Sequence, residues 1–420
     1  MPKDTRKKSF SRLSNVKTRK RNTNKLERFK PTHQSKANKT KNFWAELSKH
    51  RMDIFIRVSF LFVVLICATV FFYLRYQFKV YETYEVIQTQ EVAITSGTRA
   101  QRFGNSLLVY GSDGAKCINS KGDVVWNVTY EMQNPRVDIS GNVAGIADYN
   151  GSKIYMMDEI QVLGEISTGM PIRSFRVSPK GLAIAVLDDT ATTPIYIYDK
   201  TGEQKAFFST TMRNSGYPVA TCISDSGHLV GISYLYVDNG NFKTNVAFYN
   251  FGEVGKNETD NLVSGYTYAN AIVPQMEFVS PSKAVAIADN RLMFYSGNEK
   301  PISDGEVMLQ ENVISSFYGN GYVGLVHNNV DGEARYRVDI YDESGRKKDS
   351  VVFDSEYDEM FFDDGRIIIY NAERCLIHKI GGVEKFNGEF NTPILAMAPT
   401  NVADRFILIS ADGIRTVELK

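Results

Sequence analysis

The histidines are the first residues to consider for chemistry, because imidazole binds transition metals and exchanges protons near neutral pH. His228, His327 and His378 stand far apart in the chain, and none has a second His or Cys at the spacing of a metal-binding motif. The other two, His33 and His50, precede a long apolar run. We interpret the first three as strand or surface histidines and predict no metal site.

The four cysteines form neither a CxxC motif nor an obvious disulfide framework. Cys67 lies within the apolar run, whereas Cys117, Cys222 and Cys375 lie in three separate predicted strands. We predict that these three are buried thiols.

Acidic clusters are the remaining candidates for chemistry, since carboxylates bind Ca²⁺. The segments DDTATT at 188, DSEYDE at 354 and DDGR at 363 lack the spacing of a calcium loop, and solvated turns explain them more simply. No Gly-rich phosphate loop and no GxSxG motif is present in the sequence. The sequence therefore yields no catalytic residue and no cofactor site.

Charge divides the chain into two parts. Residues 1–52 contain 17 Lys or Arg and three acidic residues, a net charge of +14. From Tyr76 to the end there are 30 Lys or Arg and 44 Asp or Glu, a net charge of −14. The two parts therefore have different surroundings or partners.

Between them lies IFIRVSFLFVVLICATVFFYL, residues 54–74, interrupted by the single charge of Arg57. About 20 apolar residues span a bilayer, so we predict a transmembrane helix over 53–76 that contacts lipid through 54–74. A cleaved signal peptide is the alternative. Because basic residues precede the run, we expect a cytoplasmic N-terminus and a single-pass protein of the cell membrane with an extracellular C-terminal domain.

The basic tail, residues 1–52, is predicted to be largely disordered as far as Lys41, because it has almost no aliphatic residues. It serves as a topology signal, and attraction to anionic lipid is a second role that its charge allows. Nucleic acid, which RKRNTNK at 19–25 could contact, is a weaker candidate. Phe43, Trp44 and Leu47 fit either a short interfacial helix or the first turns of the spanning helix.

Beyond Tyr76 the chain repeats one pattern. IYIYDKTGEQKAFFST at 195–210 resembles VDIYDESGRKKDSVVF at 338–353, and a weaker copy is KCINSKGDVVWNVTY at 116–130. Each copy predicts a strand, a tight turn whose Gly adopts a positive φ, and a second strand. Short Val, Ile, Tyr and Phe runs separated by turn residues continue to the C-terminus, which predicts an all-β region.

The runs fall into groups of four, spaced by about 35 to 55 residues, which is typical of a β-propeller. We predict eight blades over 77–420, with seven blades or a pair of β-sandwiches as alternatives. The last group has three strands, so we expect Glu85–Ile94 to pair with Ile414–Leu419 and close the ring. Small residues in the second strands suit blades that pack face to face.

The turn motifs resemble the repeats of pyrroloquinoline-quinone-type propellers, in which Asp or Asn, Gly and sometimes Trp recur at the turn between the outer strands. Only Trp126 occupies the Trp position. The whole chain resembles an uncharacterised family of membrane-anchored propeller proteins of Gram-positive bacteria. The resemblance implies a fold and a location, and it implies no quinone cofactor.

A non-catalytic binding or scaffolding module at the cell envelope is our leading functional hypothesis. Its partner would be an envelope protein, a peptide or a glycan held by the segments at 236–245 and 251–270, because loops on rigid scaffolds carry recognition. The first alternative is an enzyme that acts on a cell-wall glycan or small molecule and needs carboxylates or histidines converging at the central channel. The second is a transmembrane signalling component.

The orientation can be tested with protease added to whole cells from which the wall has been removed. We expect cleavage after Tyr76 and protection of a tag placed before Met1, because the basic tail is retained in the cytoplasm. Lysed cells, in which the tag becomes accessible, are the control. Loss of the tag from intact cells would show that the orientation is reversed. Replacing most tail Lys and Arg by Gln should weaken the orientation bias.

Overall fold

The computed structural model describes residues 34–91, 98–119, 121–212, 215–330 and 332–420. The chain forms two compact units, Met1–Leu74 and Arg75–Lys420.

A single helix, α1 (Gln34–Gln77), makes up the described part of the first unit and ends at the beginning of the second. Leu47–Gln77 is long and apolar enough to cross a membrane. Phe43 and Trp44 belong to this continuous helix, so they lie in its early turns and form no separate interfacial helix. Residues 34–41 are helical where we predicted disorder, which is a correction. Ala, Lys and Gln favour helix, and adding turns to an existing helix avoids the cost of nucleation.

The rest of the predicted disordered tail, residues 1–33, lies outside the described residues.

The second unit is built from strands. They are β1 (Tyr84–Gln90), β2 (Arg99–Phe103), β3 (Ser106–Tyr110), β4 (Gly114–Ile118), β5 (Val124–Thr129), β6 (Pro135–Ser140), β7 (Val143–Asp148), β8 (Lys153–Asp158), β9 (Val162–Ser167), β10 (Ile172–Val177), β11 (Ala183–Leu187), β12 (Thr193–Tyr198), β13 (Gln204–Thr210), β14 (Tyr217–Ile223), β15 (Leu229–Asp238) and β16 (Asn241–Asn250). After two short 3₁₀ turns (Gly255–Asn257 and Thr259–Asn261) follow β17 (Leu262–Ala269), β18 (Gln275–Ser280), β19 (Lys283–Ile287), β20 (Arg291–Ser296), β21 (Ile302–Met308), β22 (Ser315–Gly319), β23 (Tyr322–Asn328), β24 (Tyr336–Asp342), β25 (Lys347–Phe353), β26 (Glu359–Asp363), β27 (Arg366–Tyr370), β28 (Arg374–Lys379), β29 (Glu384–Glu389), β30 (Ala396–Pro399), β31 (Arg405–Ser410) and β32 (Gly413–Leu419).

These strands form eight antiparallel four-stranded sheets among the described residues. Blades 1 to 7 each take four consecutive strands from β2 onward, and blade 8 has the order β1-β32-β31-β30. The prediction of an eight-bladed propeller is confirmed, and neither seven blades nor a pair of sandwiches describes the molecule.

The core lies between the blades. The described residues contain eight buried apolar clusters, and each joins two neighbouring blades, including blade 8 with blade 1. A sheet that is apolar on both faces cannot be stable alone, because each face must be covered by a neighbour. Burial of these faces is therefore shared around the whole ring.

Small residues in the second strands allow the blades to approach closely, as predicted. Gly145 in β7 shows this best, since a Cβ there would lie 2.8 Å from Val177 Cγ1 and 2.9 Å from Phe175 Cε2. Both neighbours belong to the first strand of the next blade. A side chain at this position would force the two blades apart.

The repeated motifs form one recurrent turn between the third and fourth strands of a blade. Asp199 Oδ1 accepts main-chain N–H groups of Thr201 and Glu203 at 2.9 and 3.1 Å, and Gly202 has φ of 88°. Asp342 makes the same contacts at 2.9 and 3.1 Å beside Gly345, which has φ of 77°. The carboxylate holds the turn and Gly supplies the left-handed φ, so the repeat is explained by local geometry.

The ring is closed by chain from both ends, as predicted. β1 pairs with β32 antiparallel from Tyr84 opposite Leu419 to Gln90 opposite Ile414, with a bulge at Ile87. The bulge accounts for the imperfect alternation of this strand in the sequence. Residues 92–94, which we placed at the end of the same strand, lie outside the described residues.

The segment before β1 is fixed to blade 7. Lys385, which is buried, donates hydrogen bonds from Nζ to the carbonyls of Tyr76, Gln77 and Lys79 at 3.0, 2.7 and 2.9 Å. The main-chain N–H of Tyr81 donates to the carbonyl of Lys385 at 2.7 Å. These hydrogen bonds between Lys385 and main-chain groups therefore fix the segment that leads into β1.

Two segments that we predicted to be long loops are mainly regular structure. Residues 236–245 form the end of the β15–β16 hairpin, and residues 251–270 contain the 3₁₀ turns and all of β17. The alternation of Tyr266 and Tyr268 with polar residues indicated this outer strand, because both tyrosines pack against the core between blades 4 and 5.

Ring closure can be tested by truncation. A chain beginning at Tyr81 should fold as a soluble, cooperative domain, whereas one beginning at Gly97 lacks β1 and leaves the edge of β32 unpaired. Each lost main-chain hydrogen bond costs about 1 kcal/mol, so we expect the shorter chain to aggregate or to melt about 10 °C lower or more. Differential scanning calorimetry measures the difference, and equal melting temperatures would contradict closure by β1.

Candidate functional site in the central channel

The first strand of each blade lies innermost and borders the central channel. First strands of adjacent blades contact one another, as in β2 with β30, β6 with β10 and β14 with β18. All of them begin at the same end of the channel, because every blade has the same antiparallel order. We call this end the entry mouth. Side chains from different blades can converge along the channel that these first strands border.

Arg176 in β10 makes the principal convergence of charge. Its Nη1 lies 2.7 Å from Asp138 Oδ1 in blade 2, and its Nη2 lies 3.0 Å from Glu277 Oε2 in blade 5. Nε donates to the carbonyl of Thr221 in blade 4 at 3.2 Å, and Nη1 also donates to the hydroxyl of Tyr318 in blade 6 at 3.2 Å. One guanidinium thus contacts four blades besides its own, and we call these residues the channel cluster.

Two carboxylates face one guanidinium in the channel cluster, so it carries a net charge of about −1 when both acids are ionised. Asp138 is held further by the main-chain N–H of Val177, which donates to its Oδ2 at 2.6 Å. Burial raises the pKa of Glu277 to about 7, although Arg176 opposes this shift, and the charge of Asp138 adds to it. The Glu277 carboxyl therefore gains and loses its proton near neutral pH.

A pocket of about 310 Å³ leads from the entry mouth toward the channel cluster between blades 2 and 3. Asp138 and Arg176 lie at its inner end, and Val137, Ile172 and Phe175 give it apolar walls. A pocket with apolar walls and a few fixed polar groups is the usual form of a small-molecule site. Both charged groups at its inner end are already paired within the channel cluster.

The structure keeps the three candidate histidines apart. His327 is buried in β23 with Nδ1 3.0 Å from the carbonyl of Asn312, and His378 in β28 lies 3.2 Å from Asp349 Oδ2. His228 is exposed in blade 4. The prediction of strand or surface positions is confirmed.

The cysteines agree with the prediction for the three in strands. Cys117, Cys222 and Cys375 are buried free thiols in separate blades. Burial raises the pKa of the Cys117 thiol to about 11, so it stays protonated at neutral pH.

The acidic clusters serve turns and ion pairs. Asp188 pairs with Arg173, Asp363 pairs with Arg366, and Asp354 accepts the main-chain N–H of Arg335 at 2.8 Å. Within the described ranges of the chain, no group of three or more His, Cys, Asp or Glu is arranged to hold a metal ion.

Sequence reasoning missed the channel cluster. A signal was present, because Asp138, Arg176 and Glu277 are each a charged residue flanked on both sides by apolar residues within a first strand. A charge at such a position needs a buried partner, and a ring of blades can supply one from a distant repeat. The positions could therefore have been chosen, although their pairing could not.

The fold and the channel define the class of protein, an eight-bladed β-propeller with an ion cluster across its centre. The chain belongs to the family of unknown function DUF5711, whose model matches residues 77–419. No curated protein matches the chain.

Solved structures with a similar fold share little sequence with this chain. BamB from Moraxella catarrhalis has a TM-score of 0.49 and 12% identity, with 80% of this chain and 100% of that chain covered. Sqt1 from Saccharomyces cerevisiae has a TM-score of 0.48 and 12% identity, with 81% and 99% covered. AztD from Citrobacter koseri has a TM-score of 0.46 and 7% identity, with 71% and 90% covered. These likenesses carry no argument about function, and the resemblance to pyrroloquinoline-quinone-type repeats stays a prediction.

The raised pKa of Glu277 predicts a pH dependence of stability. In the unfolded chain this carboxyl titrates near 4.5, whereas in the folded chain its pKa is about 7. Between these values the folded state holds a proton that the unfolded state releases, so the free energy of unfolding falls as pH rises. We expect a loss on the order of 3 kcal/mol through this group and no such loss in Glu277→Gln.

Urea unfolding at pH 5 and pH 8 of the chain beginning at Tyr81 measures this difference. Glu131→Gln is the control, because Glu131 is an exposed acid outside the channel and should leave the pH dependence unchanged. An unchanged pH dependence in Glu277→Gln would contradict the assignment.

Proposed function

We propose that this protein is a single-pass membrane protein whose propeller lies outside the cell and acts as a non-catalytic binding or scaffolding module. The observation that carries the proposal is a hairpin of blade 4 that extends beyond the entry mouth and exposes apolar side chains. A rigid protruding element with an exposed apolar tip is suited to contact another protein.

The hairpin is made by the two longest strands, β15 and β16, of ten residues each. Pairing with β14 ends where Tyr217 lies opposite Leu235, so the remainder of the hairpin extends beyond the first strand of its blade. Asn239 and Gly240 form its turn with φ of 49° and 80°. Both central residues have positive φ, as in the tight turns that match strand twist, so the tip is held in one conformation.

Apolar side chains are exposed at this tip. Val237 and Phe242 are cross-strand partners with 64% and 53% of their surface exposed. Met212 and Tyr217, near the start of β14 at the same mouth, are 70% and 40% exposed. Aromatic and methionine side chains are enriched where proteins bind each other, and their burial would favour association.

The anchor and the tail complete the proposal. Leu47–Gln77 would cross the membrane, and the excess of Lys and Arg in residues 1–52 would keep the N-terminus in the cytoplasm and draw the tail to anionic lipid. The net charge of −14 after Tyr76 would repel nucleic acid from the propeller, so we expect partners of another class. An envelope protein is the partner that the apolar tip favours.

An enzyme at the channel is the second candidate, and Glu277 is the observation in its favour. A carboxyl with a pKa of about 7 has the proton affinity of a general acid or base. Arg176 bridges this carboxyl and Asp138, however, which fixes both acids in an ion pair instead of leaving them free to meet a substrate. The binding role is therefore the better supported of the two.

Site-specific photo-crosslinking tests the binding role. A photoreactive phenylalanine analogue in place of Phe242 should give a reproducible adduct in intact cells, because the exposed tip contacts the partner. The matched control is the same analogue in place of Ile160, which is 77% exposed in the turn between β8 and β9 at the opposite mouth. Phe242→Ser should abolish recovery of the partner and change the free energy of unfolding by less than about 0.5 kcal/mol. Absence of an adduct at 242, or the same adducts from both positions, would refute the hairpin as the contact site.

A further inference from the structure

Three arginines stand near the starts of consecutive first strands, at the entry mouth. They are Arg99 in β2, Arg136 in β6 and Arg173 in β10, so blades 1, 2 and 3 each present one guanidinium. We call this group the arginine arc. The first strands of blades 4 to 8 begin at Tyr217, Gln275, Ser315, Glu359 and Ala396.

The arginines differ in what they already bind. Arg173 pairs with Asp188 and donates to Asn150 Oδ1 at 2.6 Å, which fixes its position. Arg99 and Arg136 are exposed, and neither has an ion-pair partner among the residues that the structure describes. Two cations without counter-charges are unexpected in a domain with a net charge of −14. The Arg99 side chain also hydrogen-bonds to Tyr110, which leaves its remaining donors and those of Arg136 open to a ligand among the residues that the structure describes.

Each arginine borders a pocket. The pocket of about 310 Å³ between blades 2 and 3 has Arg136 and Arg173 at its rim, with the ring of Tyr149 5.8 Å from the Arg173 guanidinium. A second pocket, of about 270 Å³ between blades 1 and 2, is lined by Arg99 and Tyr110. Both pockets open at the entry mouth, and the start of β6 separates them. Together they form one surface that crosses three blades.

The acids that line the pocket between blades 2 and 3 are held in place by other groups of the protein. Asp148 accepts the main-chain N–H groups of Gln133 and Asn134 at 3.2 and 2.7 Å. Asp138, deeper in the same pocket, is bound by Arg176 at 2.7 Å. The rim therefore presents guanidinium groups whose fork of N–H donors matches a carboxylate.

We propose that the arginine arc binds an extended segment of a partner protein that is rich in Asp and Glu. The inference deepens the proposed binding role by naming the ligand chemistry, and it rests on that role. A chain crossing the mouth would place one carboxylate at Arg99 and the next at Arg136 and Arg173, while the apolar tip at Phe242 contacts another part of the partner. The guanidinium groups attract carboxylates, whereas the rest of the acidic domain repels them. An acidic segment would therefore bind at the arc and not elsewhere on the propeller.

Fluorescence anisotropy with a labelled hexaglutamate peptide tests the arc. The full chain is used in uncharged detergent micelles, with most Lys and Arg of residues 1–52 replaced by Gln because the basic tail would itself attract the peptide. We expect binding in about 0.05 M salt that weakens strongly in about 0.5 M salt. Arg136→Gln should raise Kd about three- to fivefold, the worth of one exposed ion pair, and Arg99→Gln with Arg136→Gln should raise it further. Lys180→Gln removes one exposed charge in the turn between β10 and β11 at the opposite mouth and should leave Kd unchanged.

Several results would overturn the proposal. They are equal weakening by Lys180→Gln, equal binding of a hexaglutamine peptide, and absence of binding at low salt. Tighter binding of inorganic triphosphate, measured by its displacement of the peptide, would assign the arc to phosphate and not to carboxylate. The crosslink at position 242 does not depend on peptide binding by the arginine arc. If the crosslink forms but the peptide does not bind, the arc proposal is refuted and the proposed binding role is retained.

Discussion

Closure of the ring is the constraint on which the rest of the structure depends. Every apolar cluster among the described residues joins two blades, so no blade is covered unless both of its neighbours are present. The pairing of β1 with β32 joins the N-terminal and C-terminal parts of the propeller, so that every blade has a neighbour on both faces. Folding of the propeller is consequently coupled across more than 300 residues of sequence.

The channel cluster depends on closure in a different way. Asp138, Arg176 and Glu277 come from blades 2, 3 and 5, and only the curvature of the ring brings their first strands to one centre. A buried ion pair is weak evidence of net stabilisation, because desolvation offsets attraction. Its stronger effect is on specificity, since an unpaired charge would be left behind if a blade were displaced. The cluster thus favours one arrangement of similar repeats over others.

Much of the fold was predictable because its signals are local. The turns around Asp199 and Asp342 follow from an Asx contact and a glycine, and the incomplete last group of strands indicated closure by β1. Residues 34–41 were missed because the helix extends from a stronger neighbour. A polar fourth strand was expected in the group that contains β17, but residues 251–270 were assigned to a loop because many of them are polar.

The pairing within the channel cluster could not be predicted, because it joins blades far apart in sequence. Composition and spacing within a repeat contain no information on which blade lies opposite which. Arg176 and Glu277 are separated by 101 positions, yet they make a contact of 3.0 Å. Charged residues flanked by apolar ones in first strands marked the candidates, and the curvature of the ring determined their partners.

The attachment of Lys385 to three carbonyls has a mechanical consequence. Tension applied to the chain at Tyr76 would reach blade 7 through Lys385 before it reaches β1, since the ammonium group precedes the sealing strand along the load path. The hydrogen bonds go to main-chain oxygens, and the Lys385 ammonium group also lies 5.9 Å from the centre of the Tyr76 ring. The pairing of β1 with β32 is thereby shielded from force by Lys385, which belongs to neither of these strands.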